Sequence, residues 1–124
     1  MTTTHDVHLF SPLKLRGVEF SNRVWVSPMC QYSAIDGVAS SWHDVHIGSF
    51  PTGGTGLIMM EAAGATPEGR ISTQCLGLWN EKQTERLRPI VEFAHSMGTK
   101  IGIQLAHAGR KGSCLPPWSD HPMA

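Results

Sequence analysis

Leu57-Ile58-Met59-Met60-Glu61-Ala62 is an almost continuous apolar run, and such runs mark strands buried on both faces of a parallel sheet. Gly53-Gly54-Thr55-Gly56 turns the chain into it. Working toward the N-terminus, Trp42, Val45 and Phe50 allow a helix over residues 41–50, with Ser40 or Ser41 as its cap and Pro51 limiting its length. Residues 23–27 form a β-rich run closed by Pro28, which cannot donate to a ladder. Leu13 and Leu15, then Val18 and Phe20, alternate with polar neighbours about Arg16-Gly17, so residues 13–20 read as a small hairpin.

Toward the C-terminus, Asn80 followed by Gln83 resembles a capping box. Leu87, Ile90, Val91, Ala94 and Met97 then share one helical face before Gly98 ends the helix, with Pro89 inside it as an expected kink. Residues 100–105 form a third buried strand. Strand, helix, strand, helix, strand at this spacing predicts βαβ units in a parallel sheet or barrel.

A chain of 124 residues, 40% hydrophobic, has the size of one domain and can bury a modest core. Ten basic residues balance ten acidic ones without a basic run, which argues against a nucleic-acid partner. The opening Met1-Thr2-Thr3-Thr4-His5-Asp6 lacks an apolar signal core, and no stretch approaches the ~20 apolar residues that span a bilayer. A cytoplasmic location without membrane association is the expectation. Cys30, Cys75 and Cys114 are odd in number and widely spaced, so they are expected to be free thiols. Residues 115–124 have loop chemistry, so the chain is expected to stop in mid-loop.

In sheets and barrels of this kind, ligands bind at the carboxyl ends of the strands. That rule selects Ser27-Pro28-Met29-Cys30-Gln31-Tyr32, Glu61-Ala62-Ala63-Gly64 and Gln104-Leu105-Ala106-His107-Ala108-Gly109-Arg110-Lys111. No strand is followed by a dinucleotide or P-loop glycine pattern. His43 and His46 at i, i+3 could face a metal with His107, but no carboxylate has a matching spacing, and no metal site is assigned. Hydrogen-bonded residues on a partly buried helix and loop are the better reading. Cys30 is open to two readings, a nucleophile with His107 as base or a small buried hydrophobe. Gln104 offers two donors and an acceptor to a planar heterocycle, or else braces a loop.

At these segments the sequence resembles a known family. Leu9-Phe10-Ser11-Pro12, Asn22-Arg23, Ser27-Pro28-Met29-Cys30-Gln31-Tyr32, Glu61-Ala62, Pro67-Glu68-Gly69-Arg70 and Ile103-Gln104-Leu105-Ala106-His107-Ala108-Gly109-Arg110-Lys111 are similar to motifs of the Old Yellow Enzyme family, in order and at matching separations. The likeness is strongest to the bacterial branch containing the xenobiotic reductases. It implies an α/β fold: the N-terminal part of a TIM (β/α)8 barrel, with a bottom hairpin and about three βα units, residues 1–124 being a single partial domain.

The resemblance further implies FMN at the top of the barrel. Ser27, Pro28, Met29 and Cys30 would line the flavin, Ala62 would touch it, Gln104 would hydrogen-bond its pyrimidine ring, and Tyr32 would reach the substrate. Cys30 would tune the flavin's reduction potential as a thiol. The implied reaction is ping-pong: NADPH or NADH reduces FMN, which passes hydride to an activated alkene such as an enone. The family's substrate-gripping histidines, proton-donating tyrosine and phosphate loops are expected beyond Ala124, so these residues alone are expected to be inactive. Alternatives are a non-catalytic half-barrel that forms a homo-oligomer or pairs with a complementary C-terminal half, and a metal- or thiol-dependent hydrolase.

Overall fold

The computed structural model describes residues 8–112 and 114–119. The opening segment discussed above and the last five residues of the tail lie outside them. A short 3-10 turn, His8–Phe10, leads into the hairpin of β1 (Leu13–Leu15) and β2 (Val18–Phe20). The pair is antiparallel with Leu15 opposite Val18, leaving the expected two-residue turn, in which Arg16 takes φ 51°. Next come β3 (Trp25–Val26), α1 (Ser41–Thr52), β4 (Leu57–Gly64), α2 (Glu81–Ser96), β5 (Lys100–Ala106) and a 3-10 turn, Gly109–Lys111. Strands β3, β4 and β5 form one parallel sheet in chain order. This is the succession of βα units expected from the apolar run and its flanking helices.

The core lies between this sheet and the two helices: Ile58, Met60 and Ala63 of β4 pack with Ile47 of α1 and with Leu87 and Ile90 of α2. Arg86 of α2 ties the helices together, donating to Asp44 Oδ1 of α1 at 2.8 Å and to the Ser40 carbonyl at 3.1 Å. At the amino end of the sheet, Asn22 Oδ1 accepts from Val24 N and Gly56 N while its amide donates to the Gly54 carbonyl, clamping the glycine turn before β4. A Cβ at Gly56 would lie 2.5 Å from the Asn22 carbonyl oxygen, so only glycine lets the two backbones approach this closely. Phe20 packs on Trp25 with centroids 4.8 Å apart, which seats the hairpin at this same end.

Four expectations need correction. The third strand, read as buried, has no buried residue, and Lys100, Gln104 and Leu105 of β5 are exposed. The ladder of β3 pairs only Trp25 and Val26 with β4, so residues 23, 24 and 27 of the expected strand flank it. Pro51 does not stop α1. It sits buried within the last turn, where its missing N–H removes one bond to Ile47 and Gly53 still donates to Ser49 and Phe50. Met97 is the C-cap of α2 and is exposed, since the helix has turned its apolar face past that position. Pro89 lies inside α2, as read from the sequence.

Candidate functional site

The carboxyl end of the sheet is organised by a β-bulge. Met60 pairs with Ile103, and the next registered pair is Ala62 with Gln104, leaving Glu61 as the extra residue of β4. Met60 and Glu61 are consecutively buried, which interrupts the alternation along β4. The bulge sends Glu61 to α1 and sets Ala62 beside Gln104.

Because Val26 pairs with Ile58, residues 27–32 continue past this same end. Cys30 is half-buried beside β4, where the Ala62 backbone N–H favours its thiolate. Burial, followed by the neighbouring Cys75 and Glu61, outweighs that bond and raises the thiol above its ordinary value of 9.0. Cys30 is therefore a protonated thiol near neutrality. Tyr32 adopts φ 50°, a conformation costly for a residue with a Cβ, and meets Trp118 edge-on at 5.6 Å. Partial burial, then the nearby Cys30, raises its phenol as well.

The structure thus brings Cys30, Ala62 and Gln104 to one end of three adjacent parallel strands, with Tyr32 close by. Ser27 and Met29 are exposed and Pro28 is half-buried in the same connecting segment. Gln104 is exposed, and no group among the described residues engages its amide in a hydrogen bond.

Sequence reasoning placed Glu61 at a strand end and read His43 as a hydrogen-bonded residue of a partly buried helix, but it gave Glu61 no role and did not pair the two. Glu61 Oε1 lies 3.0 Å from His43 Nε2, and both side chains are almost wholly buried. Glu61 Oε2 accepts from Gln31 N at 3.1 Å, and His43 Nδ1 accepts from Ser40 N at 3.0 Å. With Nδ1 an acceptor, Nε2 carries the hydrogen and donates to Glu61. The signal available was a glutamate inside an apolar run, because a buried polar residue is more informative than a buried leucine.

A second overlooked feature is the turn Ile35-Asp36-Gly37-Val38. Asp36 and Gly37 both have positive φ, and Ile35 and Val38 exchange two backbone bonds. Asp-Gly is the dipeptide for this primed turn. It orients Gly37 so that its carbonyl accepts from Gly77 N, while Ala34 N bonds Gln74 and Gly64 N bonds Leu76. The connections after β3 and β4 are thereby sewn to the strand end.

The three histidines considered for a metal separate. His43 is bound to Glu61, His46 stacks on Trp42 at 5.7 Å, and His107 accepts from Gly109 N through Nδ1. Among the described residues no group of three His, Cys, Asp or Glu side chains could hold a metal ion. None of their helices is long and apolar enough to cross a membrane. Cys30, Cys75 and Cys114 are free thiols.

Residues 8–115 match the model of the NADH:flavin oxidoreductase / NADH oxidase family. The chain belongs to that family. It is 50% identical over 116 residues to an NADH:flavin oxidoreductase of Gibberella zeae, a match covering 94% of this chain and 28% of that protein. It is also 50% identical over 105 residues to an NADPH dehydrogenase of Listeria welshimeri, covering 83% of this chain and 31% of the relative. The chain thus spans under a third of these relatives' length.

Among solved structures, morphinone reductase in complex with tetrahydroNAD superposes with TM-score 0.75 and 31% identity, over 83% of this chain and 28% of that one. The old yellow enzyme from Trypanosoma cruzi gives TM-score 0.76 and 30% identity over 85% and 28%. Within this flavin oxidoreductase family, the hairpin and three-stranded sheet correspond to part of an Old Yellow Enzyme barrel, the fold expected from the motifs.

Proposed function

We propose that this chain supplies one flank of the FMN site of an NAD(P)H oxidoreductase that reduces activated C=C bonds, such as those of enones. The observation that carries the reading is the registered pair Ala62 and Gln104 beside the Cys30 thiol at the carboxyl end of the sheet. These residues fit a flat heterocycle with a polar rim. Ala62 presents only a methyl group, Met29 adds exposed apolar surface, and the unengaged Gln104 amide offers two donors and an acceptor.

When bound, FMN would accept hydride from NADPH or NADH and deliver it to the alkene in a second half-reaction. The chain's own residues bind and tune. Gln104 would orient the pyrimidine edge, and Ser27, Pro28, Met29 and Ala62 would line the ring. The Cys30 thiol would donate a weak hydrogen bond, and Tyr32 would meet the substrate. A protonated, partly desolvated thiol is a poor nucleophile, which favours tuning over covalent catalysis.

The test replaces the corresponding segment of the Listeria welshimeri relative with these 124 residues. The chimera is expected to bind FMN and reduce cyclohexenone with NADPH. Gln104→Ala should weaken FMN binding by about tenfold, the usual consequence of losing a hydrogen bond to a buried polar partner. Unchanged FMN affinity in that variant would refute the assignment.

A second reading, a non-catalytic half-barrel that associates with itself or another chain, is favoured by one observation. Met60, Leu78, Leu87, Val91, Ile101 and Ile103 line most of a mainly apolar groove of about 380 Å³ beside β5, with Arg88 and Glu92 also along it. Sedimentation of the 124-residue chain alone and mixed with the remaining part of the relative would distinguish self-association from pairing.

A further inference from the structure

The buried pair His43 and Glu61 has no part in the reading above, yet its position is unusual. A carboxyl group 3% exposed would be costly to bury in an apolar strand without partners. Every partner here belongs to an element that shapes the strand end: β4 itself through the bulge, α1 through His43, and the 27–32 connection through the Gln31 N–H. Fixing a loop is a use to which a bulge residue is suited.

We propose that His43 and Glu61 are positioning residues. The Glu61 carboxylate, braced by His43, holds the Gln31 backbone and so fixes Cys30 and Tyr32 against the carboxyl end of β4.

The chain of contacts is continuous. Ser40 N donates to His43 Nδ1, which leaves Nε2–H to donate to Glu61 Oε1, and Oε2 is free to accept from Gln31 N. Gln31 has a second tether, since its Oε1 accepts from the Trp42 indole at 3.0 Å and its Nε2 donates to the Met29 carbonyl at 2.8 Å. Residue 31 is thus gripped through both main chain and side chain, directly between Cys30 and Tyr32. The left-handed backbone at Tyr32 makes such a grip necessary, because a residue with a Cβ leaves that region unless its neighbours are fixed. Glu61 also faces Cys30 as negative charge. The titratable groups near the thiol are Cys75, Glu61 and Tyr32.

What the held loop serves rests on the flavin reading, but the test needs no flavin, so the two can fail separately. Amide hydrogen exchange of the unmodified chain is measured first. Gln31 N–H lies outside every strand, so it should exchange rapidly unless the carboxylate holds it. Exchange as fast as at unprotected loop amides would overturn the proposal.

Glu61→Gln then removes the charge and confronts the new amide with two donors, Gln31 N–H and His43 Nε2–H. Gln31 exchange should rise roughly tenfold or more relative to amides of β5, as expected for losing a charge-assisted bond. The pH midpoint of Cys30 alkylation, followed by peptide mapping to separate it from Cys75 and Cys114, should fall. His43→Gln retains the charge and a donor toward Glu61, so it should keep the Cys30 midpoint while Ser40 N–H loses protection. Leu87→Ala, which opens a core cavity on α2 outside these hydrogen bonds, controls for lost stability. If it reproduces the selective Gln31 and Cys30 changes, or if Glu61→Gln leaves both unchanged, the pair is merely structural and the proposal falls.

Discussion

Cys30 shows how a single side chain takes its chemistry from its neighbours. Burial, Cys75 and Glu61 all disfavour its thiolate, and only the Ala62 N–H favours it. With its folded value raised, its stabilising contribution is complete below about pH 9, the ordinary value for a thiol. Above that the unfolded chain sheds the proton before the folded one does, so stability falls as pH rises through the folded value. Chemical denaturation at pH 8 and pH 10 should therefore show a smaller alkaline loss in Cys30→Ala than in the unaltered chain. In the chimera the same substitution should move the flavin reduction potential and the relative half-reaction rates while FMN stays bound. Abolished turnover with FMN still bound would instead make Cys30 a nucleophile.

At the scale of elements, α2 shows one residue doing two jobs. Asn80 Oδ1 accepts from Gln83 N at 3.3 Å, an ordinary N-cap. Gln83 Oε1 accepts from both Asn80 N and Trp79 N, at 3.2 and 2.7 Å, and its amide reaches the Asp36 carbonyl at 3.4 Å. Asn80→Ala should cost about 1 kcal/mol, the typical value of a cap. Gln83→Ala should cost about 2 kcal/mol or more, since it strands two part-buried N–H groups and opens a buried volume. Urea unfolding of the two variants checks the order, and equal costs would mean that Gln83 acts only as a cap.

The same elements show what the chain makes readable. The box at Asn80 and the stripe of Leu87, Ile90 and Ala94 are local patterns, and the structure keeps them. The apolar run of β4 and the hairpin at Arg16-Gly17 were equally plain. His43 and Glu61 were not, because their partnership crosses 18 positions and depends on a bulge that no local pattern announces. The length of α1 was misjudged because Pro51 forfeits only one bond so near the helix end. The strand-end rule selected the segments holding Ala62 and Gln104, the family motif gave them their flavin roles, and side-chain chemistry by itself left Gln104 open between a ligand contact and a loop brace.

At the scale of the molecule, the sheet decides what these 124 residues do alone. Among the described strands β5 pairs only with β4, Leu105 near its end is 64% exposed, and the apolar groove between α2 and β5 is open. An uncovered edge beside uncovered apolar surface favours association with another polypeptide. Local opening at β5 would move Gln104 relative to Ala62, and a ligand site that fluctuates binds weakly. The FMN phosphate adds a second requirement, since a dianion needs convergent N–H groups or positive charge, and neither the Ala62 methyl nor the neutral Gln104 amide of the registered pair brings a charge. The 124-residue chain alone is therefore expected to fail to retain FMN through gel filtration and to sediment as larger species as its concentration rises. Ile103→Lys, which replaces apolar lining with a further charge beside Arg88 and Glu92, should reduce that association. Adding the remaining part of the Listeria welshimeri relative should suppress the association and produce flavin absorbance that elutes with protein. If the chain alone stays monomeric at high concentration and carries stoichiometric FMN, then the open edge and groove are not what limits it.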